Sequence, residues 1–285
     1  MVQQEAMSKV RQPQSTMCFL PREHGATAML MIPIVCAAIL SRQWRWSEMA
    51  TLTAAFAALA AKDPTVILAR QRFVWKQQHP ESAAAARWLA GWCTVLALSG
   101  FVLLNAWPLR AIVAMGLGVA AFLALAIAVN VKNRQRSTLF QIASAAALTS
   151  SSLAASLSAT GGIAPWCWIL WLLMALQATA GILVMHARLD ARITLRQTVP
   201  AAEQSARSRR AAQVSLIALA CAAATFAALG HVWIALALLI PVVGYWLDLR
   251  AQRNAAYLQL PMKKVGQRAL VLSSVFAVLL IVGFW

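Results

Sequence analysis

Charge is scarce in this chain, and acidic charge is scarcer: 285 residues carry 25 Lys and Arg but only eight Asp and Glu. Charged residues make up 12% of the chain and hydrophobic ones 61%. That is too little charge to cover a water-soluble domain of this length. The five cysteines, Cys18, Cys36, Cys93, Cys167 and Cys221, are isolated, and no C-x-x-C pair occurs. Their spacing argues against a disulfide framework or a zinc site and for buried, inert thiols. No G-x-x-x-x-G-K-[ST] loop, H-E-x-x-H helix or G-x-S-x-G elbow is present, so the familiar routes to phosphate cradling, zinc hydrolysis and serine acyl transfer are missing. Apart from Lys62 at its margin, no Asp, Glu, Lys or Arg falls in the middle third of any apolar run, where ion-coupled transporters place such groups. Residues 1–21 are polar and lack a compact apolar core with a small-residue cleavage site. The first apolar helix is therefore expected to stay in the mature protein.

What the chain has instead is a succession of apolar runs, each able to cross ~30 Å of hydrocarbon as a helix. They do not alternate with period two, as barrel strands would. The runs predict nine spans, at 25–41, 49–69, 84–104, 108–130, 138–160, 165–187, 211–229, 231–249 and 268–285. The expected fold is an all-α polytopic membrane protein, with an N-terminal segment 1–24 and one transmembrane domain over 25–285. Trp44, Trp46, Trp107, Trp166 and Trp168 sit at span ends, where amphipathic rings suit the headgroup zone.

With these spans, all but three of the 25 Lys and Arg residues fall on one side. The three exceptions are Arg42, Arg45 and Arg110. The positive-inside rule then predicts a cytoplasmic N-terminus and an outside C-terminus. Because the cations hug the bilayer surface, anionic lipid headgroups explain the net charge of +17 better than nucleic acid does. Three long connections, about 70–83, 188–210 and 250–267, lie on that cytoplasmic side, and such loops often cover sites.

Four constellations could carry chemistry. Pro21-Arg22-Glu23-His24-Gly25-Ala26 brings a carboxylate and a titratable imidazole to the mouth of span 1. Lys62-Asp63-Pro64 reads as an N-cap and first helical position, which predicts a break within span 2. Asp63 shares a helical face with Arg70, seven residues on. At the end of span 6, His186 and Asp190 are four apart, as are Arg188 and Arg192, and two arginines one turn apart form a fork suited to phosphate. Lys132, Arg134 and Arg136 precede span 5, where cations add to the helix dipole and draw anions. Each constellation is equally readable as a cap, an interfacial anchor or a topogenic charge.

The Arg-Glu-His-Gly stretch, Arg22 to Gly25, in a basic helical membrane protein with Lys263-Lys264-Val265-Gly266 near its end, resembles the YwiC-like family of bacterial membrane proteins. That resemblance implies a bacterial inner membrane. The nine-helix architecture is also similar to the UbiA-type prenyltransferases. It implies a UbiA-like bundle that binds a prenyl diphosphate through Mg²⁺ and cationic side chains. Those enzymes carry Asp-rich motifs at the cytoplasmic ends of helices 2 and 6. Here single aspartates, Asp63 and Asp190, stand at the matching helix ends. The paired carboxylates that two Mg²⁺ ions need are absent. On this resemblance Asp63, His186, Asp190, Glu23 and His24 are the candidate catalytic groups. Arg70, Lys132, Arg134, Arg188 and Arg192 are the candidate phosphate ligands.

Three functions stay open at this point. The first is binding of a phosphorylated or diphosphorylated prenyl-type lipid at the cytoplasmic face, with transferase or lyase chemistry in a divergent form. The second is a non-catalytic membrane scaffold or lipid-binding protein, and the third a small-anion transporter.

Overall fold

The computed structural model describes residues 24–77, 81–131, 137–195 and 200–285. Every regular element among them is a helix. In chain order these are α1 (His24–Ser41), α2 (Trp46–Arg70), α3 (Ser82–Leu104), α4 (Leu109–Val131), α5 (Thr138–Thr149), α6 (Ser151–Thr160), α7 (Pro165–Thr194), α8 (Pro200–Ala228), α9 (Val232–Ala251), α10 (Ala255–Leu258) and α11 (Met262–Phe284). Among the described residues, eight helical segments are long and apolar enough to cross a membrane, with α5 and α6 forming one of them together. α1 is apolar too but shorter, at 18 residues. The chain is a multi-pass membrane protein built from these helices.

Span 2 is not broken where the sequence predicts. α2 runs without interruption through Asp63 and Pro64 to Arg70 and continues as a π-helical turn, Gln71–Trp75. Asp63 therefore sits inside a helix and not at its start. Pro64 removes one backbone donor, and the hydroxyl of Thr65 donates to the Ala61 carbonyl at 2.6 Å. The carbonyl that Pro64 leaves without its helical donor is that of Ala60, one residue earlier, and packing from neighbouring helices lets a membrane helix carry an internal proline. The real interruption lies in the fifth span. Thr149 and Ser150 donate their hydroxyls back to the carbonyls of Ala145 and Ala147, at 2.8 and 2.7 Å. Hydroxyls bonded to the preceding turn bend helices, and here α5 ends and α6 begins across Ser150.

Two of the long connections contain helix. α7 runs on to Thr194 and α8 starts at Pro200, so most of 188–210 extends these two helices. The stretch 250–267 holds the single turn of α10 and the start of α11.

α7 is the hub of the bundle. It packs against α1, α5, α6, α8, α9 and α11. Leu170, Leu173, Met174, Ala178 and Ala180 are buried along it. Midway, the Gln177 amide donates to the Tyr245 hydroxyl at 2.9 Å and to Ser273 at 3.0 Å, joining α7 to α9 and α11. α9 and α11 meet closely near the end of the chain. A Cβ on Gly283 would stand 2.9 Å from the Ile234 backbone nitrogen. α2 joins this body through α1 and α6, while α3 and α4 stand outside it, packed against α2 and each other.

The two ends of the bundle differ in kind. At one end the Trp107 indole donates to the Ser158 hydroxyl at 2.9 Å, Ser47 donates to the Ser158 carbonyl at 2.8 Å, and Thr51 pairs with the same Ser158 hydroxyl. Arg42, Arg45 and Arg110 belong to this end, at the close of α1 and the starts of α2 and α4. Among the described residues the other cations gather at or near the opposite end.

Candidate functional site

The cation-rich end is organised by the last turns of α7. Arg188 is the largest fully buried side chain among the described residues, with 0% exposure. A guanidinium cannot shed its charge, so it must be held by neighbours. Its Nη2 donates to the Tyr257 carbonyl at 2.7 Å, and Nη1 lies 3.8 Å from Asp248 Oδ1. Its plane also sits over the Tyr257 ring, 4.7 Å from the centroid. Its Nε and Nη1 have no hydrogen-bond acceptor among the described residues. Unmet buried donors cost free energy and call for an explanation.

Asp248 is shared between elements. It accepts from the Gln252 amide at 2.9 Å and from the Tyr257 hydroxyl. Gln252 also donates to the Val184 carbonyl at 3.3 Å, which ties the end of α9 to α7. Tyr257 sits on α10, and its hydroxyl accepts from Arg268 Nη1 at 3.3 Å. Arg268 Cζ lies 6.0 Å from the same ring. Two guanidiniums thus flank one tyrosine, with a single carboxylate beside them. Burial, then the bond to and charge of Asp248, push the Tyr257 phenol above its ordinary 10.0.

The other sequence-predicted residues fan out rather than meet. One His186 ring nitrogen pairs with the Gln141 side-chain oxygen at 2.9 Å, towards α5. Asp190 is buried and accepts from Ser208 at 2.5 Å and Gln204 at 3.2 Å, towards α8. Arg192 is half-buried on the same helix. His186 and Asp190 share a face of α7, one turn apart, yet bond to different neighbouring helices, while Arg188 lies on the other side of the helix. Asp63 lies on α2 with Lys62 Nζ at 3.8 Å. Arg70 donates to the Asn130 carbonyl at 3.0 Å, joining α2 to α4. Glu23, Lys132 and Arg134 lie outside the described residues, as does the side chain of His24.

Among the described residues the donor set does not suit the Mg²⁺ that a UbiA-like reading implies. Among the described residues no three His, Cys, Asp or Glu side chains gather. Asp190 keeps company with an amide and a hydroxyl, and Asp63 with an ammonium. Sequence reasoning missed Asp248, Gln252 and Tyr257. A signal was there: Asp248 is one of only eight acidic residues, and Tyr257 one of two tyrosines.

No curated protein matches the chain. The Arg188 cluster lies beyond the stretch that a known family covers. Over residues 20–157, from just before α1 into α6, the chain matches the YwiC-like protein family.

Proposed function

We propose that this multi-pass protein of the bacterial inner membrane binds a phosphorylated or diphosphorylated lipid at its cation-rich end, the cytoplasmic one. The observation that carries this reading is the convergence of Arg188 and Arg268 on Tyr257 with only Asp248 to balance them. Arg268 is exposed and reaches outward. The Nε–H and Nη1–H of Arg188 are donors without acceptors behind it. Phosphate oxygens are strong acceptors for such guanidinium forks, and the bilayer surface is where phosphorylated amphiphiles present them.

Binding without turnover accounts for the geometry better than group transfer. Both oxygens of Asp190 are occupied by Ser208 and Gln204. His186 is held by Gln141. No general base stands free beside the guanidinium pair among the described residues. Prenyl diphosphate and prenyl monophosphate binding, measured on purified protein with and without Mg²⁺, tests the reading. Binding independent of Mg²⁺ and weakened by Arg268→Ala supports it. No binding of either ligand in either condition sinks it. Release of a transferred product on adding an acceptor would restore the enzymatic reading.

A further inference from the structure

Beside Arg268, a groove of about 510 Å³ runs down the outside of the bundle between α9 and α11. Ile240, Val271, Leu272 and Val275 form its floor, and Lys264, Gln267 and Arg268 form one end. The polar residues all belong to the first two turns of α11 and the apolar ones lie deeper. Cations therefore stand at the headgroup level and hydrocarbon below. Lys264 and Gln267 are exposed and have no side-chain partner among the described residues. Val271 is 63% exposed, so the groove opens sideways to the acyl chains rather than into the bundle.

We propose that this groove is a binding site for an anionic glycerophospholipid taken from the surrounding leaflet. Lys264 and Arg268 hold its phosphate, Gln267 donates to a headgroup oxygen, and one acyl chain lies along Val271, Leu272 and Val275. Charge complementarity selects the occupant: a zwitterionic headgroup brings its own cation towards two more, whereas a net-negative one does not. The inference deepens the reading above, resting on it only for the anionic headgroup. It places the tail outside the bundle, against lipid, where a UbiA-like site would enclose it. Arg268 also donates to Tyr257, which in turn donates to Asp248 beside Arg188. A phosphate here thus draws on the guanidinium that steadies the buried cluster.

The test uses the full chain in nanodiscs of phosphatidylcholine doped with phosphatidylglycerol, with retained lipid counted by native mass spectrometry. Wild type should retain phosphatidylglycerol over phosphatidylcholine. The double variant Lys264→Gln, Arg268→Gln should lose affinity about thirtyfold, roughly fivefold for each cation removed. Val271→Trp, which fills the groove without touching charge, should also lose it. The control pair Arg250→Gln, Arg253→Gln, outside the groove, should not. Equal loss in the control pair, indifference to Val271→Trp, or displacement by millimolar inorganic phosphate would each overturn the proposal. Prenyl diphosphate binding in the same variants separates the two readings. If it survives Val271→Trp while phosphatidylglycerol never binds, the groove site fails and the broader reading stands. If phosphatidylglycerol binds and no prenyl phosphate does, the prenyl-type ligand fails and the groove stands.

Discussion

Replacing Asp248 by Asn keeps its shape and an acceptor for Tyr257, removes the charge facing Arg188, and exchanges the oxygen that accepts from Gln252 for an amide nitrogen. That guanidinium has 0% exposure, while the Asp248 side chain keeps 20%. At 3.8 Å and an effective dielectric constant of about 20, the lost attraction is about 4 kcal/mol. Stripping a partner from a buried pair costs ~3–5 kcal/mol in general. The partial exposure of Asp248 places the expected loss near the lower end, at about 3 kcal/mol, or about two powers of ten in the unfolding equilibrium. The assay is reversible unfolding in mixed micelles across a denaturing-detergent series. The double variant Arg188→Met, Asp248→Leu removes both charges and should lie within about 1 kcal/mol of wild type, because an apolar pair of similar volume no longer needs solvation. Asp248→Asn within about 0.5 kcal/mol of wild type, or a double variant as damaging as the single, would refute the argument that Arg188 is a buried charge held by this carboxylate.

Tyr257 carries a pH signature. Its folded pKa is raised above 10.0, so the neutral phenol is favoured by folding. The corresponding stability is fully present below about pH 10 and declines as pH rises through the folded value. Tyr257→Phe should flatten that alkaline loss relative to wild type, as read by unfolding at a series of pH values. Gln177→Leu removes two interhelical bonds to Tyr245 and Ser273. Each such bond is worth ~0.6 kcal/mol within a membrane, so the same assay should show a loss of about 1 kcal/mol. Gly283→Ala drives a methyl group against the Ile234 backbone and should cost ~1–3 kcal/mol by overpacking; a neutral result would mean that α9 and α11 separate freely there.

The helical character of the chain could be read from its apolar runs, because a membrane leaves the backbone no other open-ended way to satisfy its hydrogen bonds. Span edges followed closely for α3 and α4, and less well where helices outrun the bilayer, as α7 does through Thr194. A break is a different matter. Asp63-Pro64 looks like a helix start in isolation, but Pro64 is fully buried inside the continuous α2. Ser150, without a proline, marks the real discontinuity. Local signals failed at both places because the surrounding helices decide whether a freed carbonyl finds a partner.

The cation-rich end shows the same division. Arg188 could be picked out by its position at the end of a span, but its role could not. Its partners come from residues 248 and 257, about sixty or more positions away. Helical spacing suggested that Arg188 and Arg192 act as a fork, whereas tertiary packing turned Arg188 inward onto Tyr257.

Composition and periodicity by themselves determined that this is a multi-helix membrane protein with most of its positive charge towards one end. Both follow from one-dimensional facts: how much apolar length a bilayer needs and where cations interrupt it. Which cations are solvated and which are buried, whether His186 and Asp190 share a site, and whether a lipid tail has a groove to enter were decided only by tertiary structure. Those properties depend on which faces of α7, α9 and α11 meet, and side chains far apart in sequence set that registration.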